Sequence, residues 1–356
     1  MYKLRVSYNR INIIQNIYII LGIINNKYLT IKVSNLELKL ILEPVAKRLD
    51  LTAQKLDKFA ADVELPHLNE LLKYVFSSEG KLTRPALTFL ASDFNECEEE
   101  KIITMASAVE MLHIASLVHD DTVDESETRR GKTTVNDEFG DYTAVLLGDY
   151  IFAASATYVC ETKDIYVIKR FSQTIMDLSY GQLMETSNVD ELIKIENYMK
   201  RIYLKTASLF TISGESGAVL SGASDSKVNA IREYSHNIGM AFQIIDDLLD
   251  LGGQEKTLGK PVGNDLVNGI ITLPIIYASE DPNYKERLLQ FLKDPTDETL
   301  HKRLIEDTNK SNALERTYQY ANKLIVKAKN SLTNLENNNS KNSLNYLAEF
   351  IIKRIS

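Results

Sequence analysis

Cysteine, proline and glycine are all scarce in this chain of 356 residues. Cys97 and Cys160 are its only cysteines, too few for a disulfide framework or a cysteine-based metal site. We therefore expect a reducing compartment, either the cytoplasm or a plastid stroma. The 15 glycines and 7 prolines leave long stretches without helix breakers, in which helices can form.

Basic residues are not in excess either. The chain has 41 Lys and Arg against 49 Asp and Glu, which gives a formal net charge of -8. Nucleic acid is not expected as a partner, because its phosphates would have to be neutralised by Lys and Arg. Local clusters of bases can still bind small phosphate groups.

The N-terminal segment, residues 1–35, differs in composition from the rest of the chain. It carries an Ile-rich run from Ile11 to Ile24 that resembles a signal peptide or a short anchor. Polar residues interrupt this run, and it is shorter than the roughly 20 apolar residues that a membrane span needs. We predict a poorly ordered extension over 1–35, no membrane span, and one domain over 36–356.

From Leu36 onward the apolar residues recur at three- and four-residue steps, the spacing of amphipathic helices. One long helix is predicted over 98–125, and further helices are expected to begin at Pro85 and to run over 344–355. The segment 143–159 is apolar nearly all round, which is typical of a central helix. The predicted fold class is all-α, a large bundle whose central helices can enclose a site.

Two acidic motifs stand out from this background. They are "DDTVD", with Asp120, Asp121 and Asp124, and "DDLLD", with Asp246, Asp247 and Asp250. Aspartates four residues apart share a helix face and repel each other. Each motif follows an apolar run, which disfavours a solvated acidic face, and the spacing does not fit an EF-hand loop. Carboxylates crowded in this way suit Mg²⁺.

Several basic residues accompany the motifs. They are Lys81 and Arg84 in "EGKLTRP", Arg129 and Arg130 after the first motif, Lys205 in "LKTASL" and Lys260 in "LGKP". Isolated bases are mostly surface charges, but Lys205 has apolar neighbours, where a buried charge needs a partner. Acids for Mg²⁺ and bases for phosphate oxygens are the groups that diphosphate chemistry requires.

From Leu36 to Ser356 the chain resembles the trans-isoprenyl diphosphate synthases, or polyprenyl synthases. The matching segments are "GKLTRP", "HDDTVDESETRRGKTTVN", "LLGDYIFA", "KTASL", "FQIIDDLLD" and "LGKPVGNDLVNGIITLP". The resemblance implies the isoprenoid synthase fold, a large helical bundle around a central cavity, usually as a homodimer. It also implies that the two motifs face each other and hold about three Mg²⁺ ions.

The resemblance implies a role for each matching residue. All six aspartates are implied to bind metal. The residues assigned to catalysis are Asp120, Asp124 and Asp246 among them, together with Lys205. The residues implied for isopentenyl diphosphate are Lys81, Arg84, His113 and Arg130. The residues implied for the allylic diphosphate are Arg129, Lys205 with its neighbour Thr206, and Lys260. Gln243, also implied to bind substrate, matches a polar residue of the family before the second aspartates. On sequence alone His113 reads as a hydrogen-bonded core histidine, and His119 is read as structural.

The implied reaction is Mg²⁺-dependent prenyl transfer. Metal and bases draw charge from the leaving diphosphate, the allylic substrate ionises, and isopentenyl diphosphate attacks the cation. The released diphosphate accepts the lost proton. Leu82 stands where the family usually has Arg, and Ile270 where many members have Lys, so a lower affinity for one diphosphate is expected, with activity retained.

Product length is predicted from the side chains one turn below Asp120, where the growing tail is implied to lie. Ala115 and Ser116 are small there, whereas short-chain members of the family carry bulky aromatics. Met111, a turn further, is a soft obstacle, and facing helices such as 143–159 can also set the floor. We predict a long-chain product of about eight to ten isoprene units for quinone side chains, with peripheral membrane contact for its release.

Three other interpretations stay open. The first is a synthase of shorter farnesyl or geranylgeranyl chains, although bacterial enzymes of that type carry a two-residue insertion within "DDTVD" that this chain lacks. A non-catalytic regulatory subunit of a heteromeric synthase usually loses one aspartate motif, and this chain keeps both. A terpene cyclase would not need two sets of bases. A long linear alcohol, no product, or a cyclic hydrocarbon would separate the long-chain synthase, the regulatory subunit and the cyclase.

Overall fold

The computed structural model describes residues 36–77, 80–129, 131–186, 189–252 and 262–354. Helices dominate these ranges, and the only strands within them are Thr128–Arg129 and Lys132–Thr133, so the all-α fold class is confirmed. The predicted extension over 1–35 lies outside the described residues. Two compact units are found. The first-motif unit comprises 44–178 and 209–235, and the second-motif unit comprises 36–43, 179–208 and 236–354. The single domain over 36–356 stays a prediction.

The first-motif unit is built around the long helix Glu99–Val123, here called the first-motif helix. The other helices wholly within the unit are Ala46–Ala61, Pro66–Phe76, Thr83–Ser92, Val135–Phe139 and Asp141–Glu161. Three more helices contribute residues to both units: Ile165–Met184, Ser208–Leu220 and Asp225–Gly252. A 3₁₀ turn, Glu43–Val45, precedes the first of the long helices.

The first-motif helix is buried on two faces, which explains why its apolar residues show no single stripe. Met111, Ala115 and Val118 pack in one apolar cluster, here called the Ala115 cluster, with Ala144 and Ile151 of the helix Asp141–Glu161. Its other face belongs to a second cluster that includes Met105, Ala108, Val109 and Leu112. Glu99 and Glu100 lie in its first turn, where negative charge favours the helix dipole.

The helix Asp141–Glu161 is less buried than its composition predicts. It was expected to be central, but Tyr142, Val145, Leu146 and Tyr150 are all exposed, with Tyr142 80% exposed. Its buried residues follow one face only. The prediction for 143–159 was therefore wrong for the isolated chain, because hydropathy does not distinguish burial by the same chain from burial by a partner.

Length and hydropathy alone would allow two of the described helices to cross a membrane. One is the first-motif helix, in which 72% of the most apolar 18-residue stretch is buried inside the protein, as is usual for a core helix. The other is Asp141–Glu161, of which only 33% is buried. Such helices are also common in the cores and interfaces of soluble proteins, so the criterion decides nothing by itself.

The second-motif unit takes its name from the C-terminal end of Asp225–Gly252, here called the second-motif helix. Its own helices are Val189–Leu192, Ile195–Ile202, Asn264–Val267, Leu273–Ala278, Pro282–Phe291, Glu298–Lys310, Ala313–Ser331 and Asn339–Lys353. Between Ile202 and Ser208 the chain forms one turn of π-helix, Tyr203–Ala207. Single π turns inside α-helices are frequently found at functional sites.

Two helix starts differ from the predictions. The helix expected from Pro85 begins at Thr83, because Leu82 takes a left-handed conformation that ends the preceding segment and Pro is tolerated in the first turn. The last helix begins at Asn339 rather than at Leu344. The side chain of Asn338 caps it by accepting a hydrogen bond from the Lys341 N–H at 2.8 Å.

Candidate active site

The first acidic motif lies at the C-terminal end of the first-motif helix. Asp120 and Asp121 occupy its last turn, and the N–H of Asp124 donates to the Asp120 carbonyl at 2.8 Å. The backbone is therefore still helical at Asp124, and Asp120 and Asp124 share a face. Negative charge at a helix C-terminus opposes the helix dipole, so three carboxylates there call for a cation.

Arg129 supplies positive charge to the buried Asp121. Its Nε donates to both carboxylate oxygens, at 2.8 and 2.7 Å, and its Nη2 lies 2.7 Å from Oδ1. The short hairpin pairs Arg129 with Lys132 around Gly131, whose φ of 79° suits glycine. Burial lowers the pKa of Arg129, but the hydrogen bond and charge of Asp121 outweigh it and raise the pKa overall. Asp121 therefore anchors Arg129 at the motif.

Two residues predicted for isopentenyl diphosphate contact each other in the first-motif unit. Arg84 Nη1 lies 3.0 Å from His113 Nε2, and the guanidinium lies over the Phe210 ring, 4.5 Å from its centroid. A cleft of about 420 Å³ beside them is lined by Gly80, Leu82 and His113, among others. His113 is thus both hydrogen-bonded, as a core histidine would be, and open to a cleft.

Leu82 lines this cleft and has a left-handed backbone conformation. Its φ of 45° lies in the left-handed region, which costs a residue with a side chain roughly 1–2 kcal/mol. An apolar side chain therefore lines the cleft where the family usually has a guanidinium. Lys81, the preceding residue, is exposed.

The second acidic motif is held by a chain of hydrogen bonds. Thr206 Oγ1 donates to Gln243 Oε1 at 2.7 Å, and Gln243 Nε2 donates to Asp247 Oδ1 at 2.9 Å. Tyr198, fully buried, donates its hydroxyl to Asp247 Oδ2 at 2.6 Å. Both oxygens of Asp247 are thereby fixed. Burial nevertheless raises the pKa of Asp247 to about 6.

Asp265 joins this motif. Its N–H donates to Asp250 Oδ2 at 3.4 Å, and the Gly263 N–H donates to the Asp250 carbonyl at 3.0 Å. Burial, together with the charges of Asp250 and Asp247, raises the pKa of Asp265 to about 8. We call Asp246, Asp247, Asp250 and Asp265 the second acidic site. Asp246 raises the pKa of Asp247, and Asp250 and Asp247 raise the pKa of Asp265, because negative charge predominates. A divalent cation would relieve this repulsion.

Lys205 lies in the π turn and has a carboxylate partner. Its Nζ lies 2.8 Å from Glu185 Oε2. The helix Ile165–Met184, which Glu185 directly follows, comes close because of Gly181, where a β-carbon would lie 2.6 Å from the Lys205 backbone nitrogen. Lys205 also lowers the pKa of Asp265, although less than burial and the other carboxylates raise it. The expectation that a part-buried Lys205 needs a partner is met by Glu185.

Asp246 is paired with a base from the far end of the described chain. Arg354 Nη2 lies 2.7 Å from Asp246 Oδ1, and the guanidinium lies over the Phe242 ring, 4.7 Å from its centroid. Phe242 precedes Asp246 by one helical turn. The ion pair therefore joins the end of the helix Asn339–Lys353 to the second acidic site.

Within each unit the structure brings most of the predicted residues together. In the first-motif unit they form two contact groups, Asp121 with Arg129 and Arg84 with His113. In the second-motif unit Thr206, Gln243 and Asp247 form one chain. Arg130 and Lys260 lie outside the described residues. Among those described, no three acidic, histidine or cysteine side chains already converge as a preformed metal centre.

Four residues of the site were missed from the sequence: Glu185, Tyr198, Asp265 and Arg354. A signal was present only for Asp265, which stands in the matching segment "LGKPVGNDLVNGIITLP". The other three act through tertiary contacts over 20 to 108 residues of sequence, which no local pattern reports.

Replacing Asp265 with Asn should stabilise the metal-free protein at alkaline pH. The folded-state pKa is raised from 3.8 to about 8. The contribution of Asp265 to the free energy of unfolding is therefore fully present below about pH 4. It is lost as the pH rises through about 8, where the buried carboxyl ionises. We expect Asp265→Asn to gain ~2–3 kcal/mol more at pH 9 than at pH 5. Urea unfolding in EDTA measures this, with the exposed Glu306→Gln as control, and an equal gain at both pH values would contradict it.

Comparison with known proteins identifies the family. The family model described as polyprenyl synthetase matches residues 65–308. The chain belongs to the polyprenyl synthetase family. This membership confirms the resemblance seen in the sequence motifs and makes the chain an enzyme of prenyl transfer.

Two relatives are named as heptaprenyl diphosphate synthases. Component 2 of the Bacillus subtilis enzyme is 32% identical over 92% of this chain and 94% of its own length. The crystal structure of the Staphylococcus aureus enzyme has a TM-score of 0.82 and 34% identity, covering 87% of this chain and 98% of its own. The isoprenoid synthase fold expected for this polyprenyl synthetase is thereby confirmed.

A third relative carries ligands. It is a polyprenyl synthase from Caulobacter crescentus, crystallised with calcium and isoprenyl diphosphate. Its TM-score is 0.81 at 29% identity, with 89% of this chain and 97% of its own covered.

Proposed function

We propose that this polyprenyl synthetase uses Mg²⁺ to condense isopentenyl diphosphate with an allylic diphosphate, giving a long-chain all-trans polyprenyl diphosphate. The observation that carries the proposal is the second acidic site. Asp247 and Asp265 have pKa values raised to about 6 and about 8, so this unit keeps carboxylates crowded at a cost in stability. Acids held at such a cost are typical of functional sites.

A divalent cation fits the donors that are present. Oxygen ligands, chiefly carboxylates and water, are those that Mg²⁺ prefers. In the first-motif unit, Asp120, Asp121 and Asp124 would hold such a cation, and in the second-motif unit Asp246, Asp247 and Asp250 would hold another. The family resemblance implies about three ions in all. Calcium in the Caulobacter relative supports an oxygen-ligated divalent site. When bound, Mg²⁺ supplies positive charge to the diphosphate that leaves.

The bases of the chain would hold the two diphosphates. Lys205 and Arg129, each anchored by a carboxylate, are proposed for the allylic diphosphate together with Lys260. Arg84 and His113, joined at 3.0 Å, are proposed for isopentenyl diphosphate together with Lys81 and Arg130. Charge-assisted hydrogen bonds from Arg and Lys stabilise phosphate oxygens, so these residues would orient both substrates before bond formation.

The Thr206–Gln243–Asp247 chain would align the reacting groups. The Gln243 side chain is fixed at both ends, by Thr206 at 2.7 Å and by Asp247 at 2.9 Å. Its amide and the Thr206 hydroxyl are dipoles that can face a developing allylic cation without donating a proton to it. We propose that the proton lost from the product goes to the leaving diphosphate, which needs no protein base.

The product is proposed to be long-chain, and its destination a quinone side chain. Ala115 and Ser116 are small, and the relatives named above as heptaprenyl synthases support at least about seven units. Cys97 and Cys160 are free and exposed, which agrees with a reducing compartment such as the cytoplasm or a plastid stroma.

Diphosphate release from farnesyl diphosphate tests the reaction class. The full chain is incubated with Mg²⁺ and farnesyl diphosphate, with and without isopentenyl diphosphate. We expect release to require both substrates. Release without isopentenyl diphosphate would favour a terpene cyclase, and no release from folded protein would favour a regulatory subunit.

We propose a second copy of this chain as the partner for Asp141–Glu161. Tyr142, Val145, Leu146 and Tyr150 form an exposed apolar face on this helix. An apolar face can pack on its own copy without charge complementarity, which suits a two-fold dimer. The Bacillus subtilis relative is named as one component of its enzyme, so a different partner chain is the alternative to be tested.

Replacing Leu146 with Glu should break this dimer. The residue is 50% exposed, so the substitution leaves the core intact but would place a charge in the interface. Sedimentation velocity should show a dimer for the unsubstituted chain and at least about tenfold weaker association for Leu146→Glu. Val326→Glu, at a 49% exposed position elsewhere, should stay dimeric. A monomer that becomes active only with a second protein would contradict the proposal.

A further inference from the structure

We propose that Arg354 is a resident counter-ion of the second acidic site, which holds Asp246 in the metal-free protein and exchanges for the divalent cation. The inference rests on the proposed function, because it needs a cation to bind at Asp246. It adds a positioning residue for metal binding that lies far from both aspartate motifs in sequence.

The contact between Arg354 and Asp246 occupies a carboxylate oxygen that a metal ion would bind. Arg354 Nη2 lies 2.7 Å from Asp246 Oδ1, so the positive charge sits on an oxygen that a cation would use. The two side chains are 25% and 34% exposed, which leaves the pair open to solvent and to exchange. A pair this exposed is weak, and an arriving divalent cation can displace it.

The Arg354 guanidinium makes only part of its possible hydrogen bonds in this position. Its Nη1 is buried and has no hydrogen-bond partner among the described residues. A half-satisfied guanidinium loses less on leaving the carboxylate than a fully bonded one would. The Phe242 ring, 4.7 Å away, can keep the guanidinium nearby by a cation–π contact after Asp246 is released.

The surrounding charges explain why a counter-ion is needed at all. Asp247 is buried next to Asp246 on the second-motif helix, and the Asp265 N–H donates to Asp250 Oδ2 at 3.4 Å. Four carboxylates therefore belong to this one site. A base on Asp246 therefore relieves repulsion while the cation is absent, at the cost of competing with the cation when it arrives.

The neighbouring residue supplies a matched control. Lys353 carries the same charge one position earlier, but its ion-pair partner is Glu37, at 3.7 Å. Replacing either base with Met removes one positive charge from the same end of the last helix. Arg354→Met removes the 2.7 Å contact with Asp246, whereas Lys353→Met removes the 3.7 Å contact with Glu37.

Mn²⁺ binding to the full chain, followed by the electron paramagnetic resonance signal of free Mn²⁺ and reversed by Mg²⁺, tests the inference. We expect Arg354→Met to lower the Kd about fivefold, and Lys353→Met to change it less than about twofold. In an Asp246→Asn background, Arg354→Met should have no further effect, because the competition acts through that carboxylate.

The outcomes separate this inference from the proposed function. If Mn²⁺ binds and Asp246→Asn weakens binding while Arg354→Met does not tighten it, the counter-ion role is wrong and the metal site stands. If Lys353→Met tightens binding as much as Arg354→Met, a general charge effect replaces the specific exchange. If the unsubstituted chain binds no Mn²⁺, both the inference and the metal-dependent function are wrong.

Discussion

Replacing Asp120 with Asn should lower prenyl transfer by about a thousandfold while leaving the fold intact. Asp120 is partly exposed at the C-terminal end of the first-motif helix, where the helix dipole already disfavours negative charge. Removing this charge costs the folded protein little and can even stabilise it. In the proposed function this charge holds a cation against the leaving diphosphate, so its removal should destabilise mainly the transition state.

Comparison with Asp121 separates catalysis from stability. Asp121 is buried and bound by Arg129, so Asp121→Asn leaves a guanidinium without its anion and should lower the free energy of unfolding by ~2–4 kcal/mol. The exposed Asp137→Asn in the same unit should affect neither property. Initial rates and urea unfolding measure the two effects. An Asp120→Asn variant with normal rates would contradict the assignment of the first motif to metal.

Replacing Ala115 with Phe should shorten the product to about three or four isoprene units, because the ring fills space that the tail needs. Ala115 is fully buried in the Ala115 cluster, on the same face of the first-motif helix as Met111 and Val118. Ser116, its neighbour, is only part-buried and donates its hydroxyl to the His113 carbonyl at 2.8 Å. Ala115 is therefore the better-placed barrier of the two.

The opposite substitution should have the opposite effect. Met111 lies one turn below Ala115 in the same cluster, so Met111→Ala should lengthen the product by about one or two units. Chromatography of the dephosphorylated products measures both shifts. Ala115→Phe should also cost ~1–3 kcal/mol of stability by overpacking, so its fold is checked separately. An unchanged product length in folded Ala115→Phe would place the tail elsewhere.

The fold was predictable from sequence where local pattern decides it. The first-motif helix, expected over 98–125, spans Glu99–Val123, because apolar residues recur along it without a Gly or Pro and acids mark both ends. The helix Asp141–Glu161 shows the limit. Its hydropathy predicts burial, but only 33% of its most apolar 18-residue stretch is buried within this chain. Our proposal is that a second copy of the chain covers its exposed face.

The candidate site was predictable where the residues stand in motifs. Asp121, Arg129, Lys205 and Gln243 were named in advance, and each has a polar partner in the structure. The counter-ion Arg354 was not, because an ion pair between residues 246 and 354 depends on how the last helix packs. The π turn Tyr203–Ala207 was not predicted, since one extra backbone residue leaves no mark on a helical pattern.

One incubation tests the central claim most directly. The full chain receives labelled isopentenyl diphosphate, farnesyl diphosphate and Mg²⁺, and the products are dephosphorylated and sized. The account predicts linear all-trans alcohols that extend to at least about seven units and that depend on Asp120. A ladder that stops at about three or four units would keep the enzyme class but contradict the prediction that the small side chains of Ala115 and Ser116 allow a long tail. No condensation product from folded protein would contradict the account as a whole.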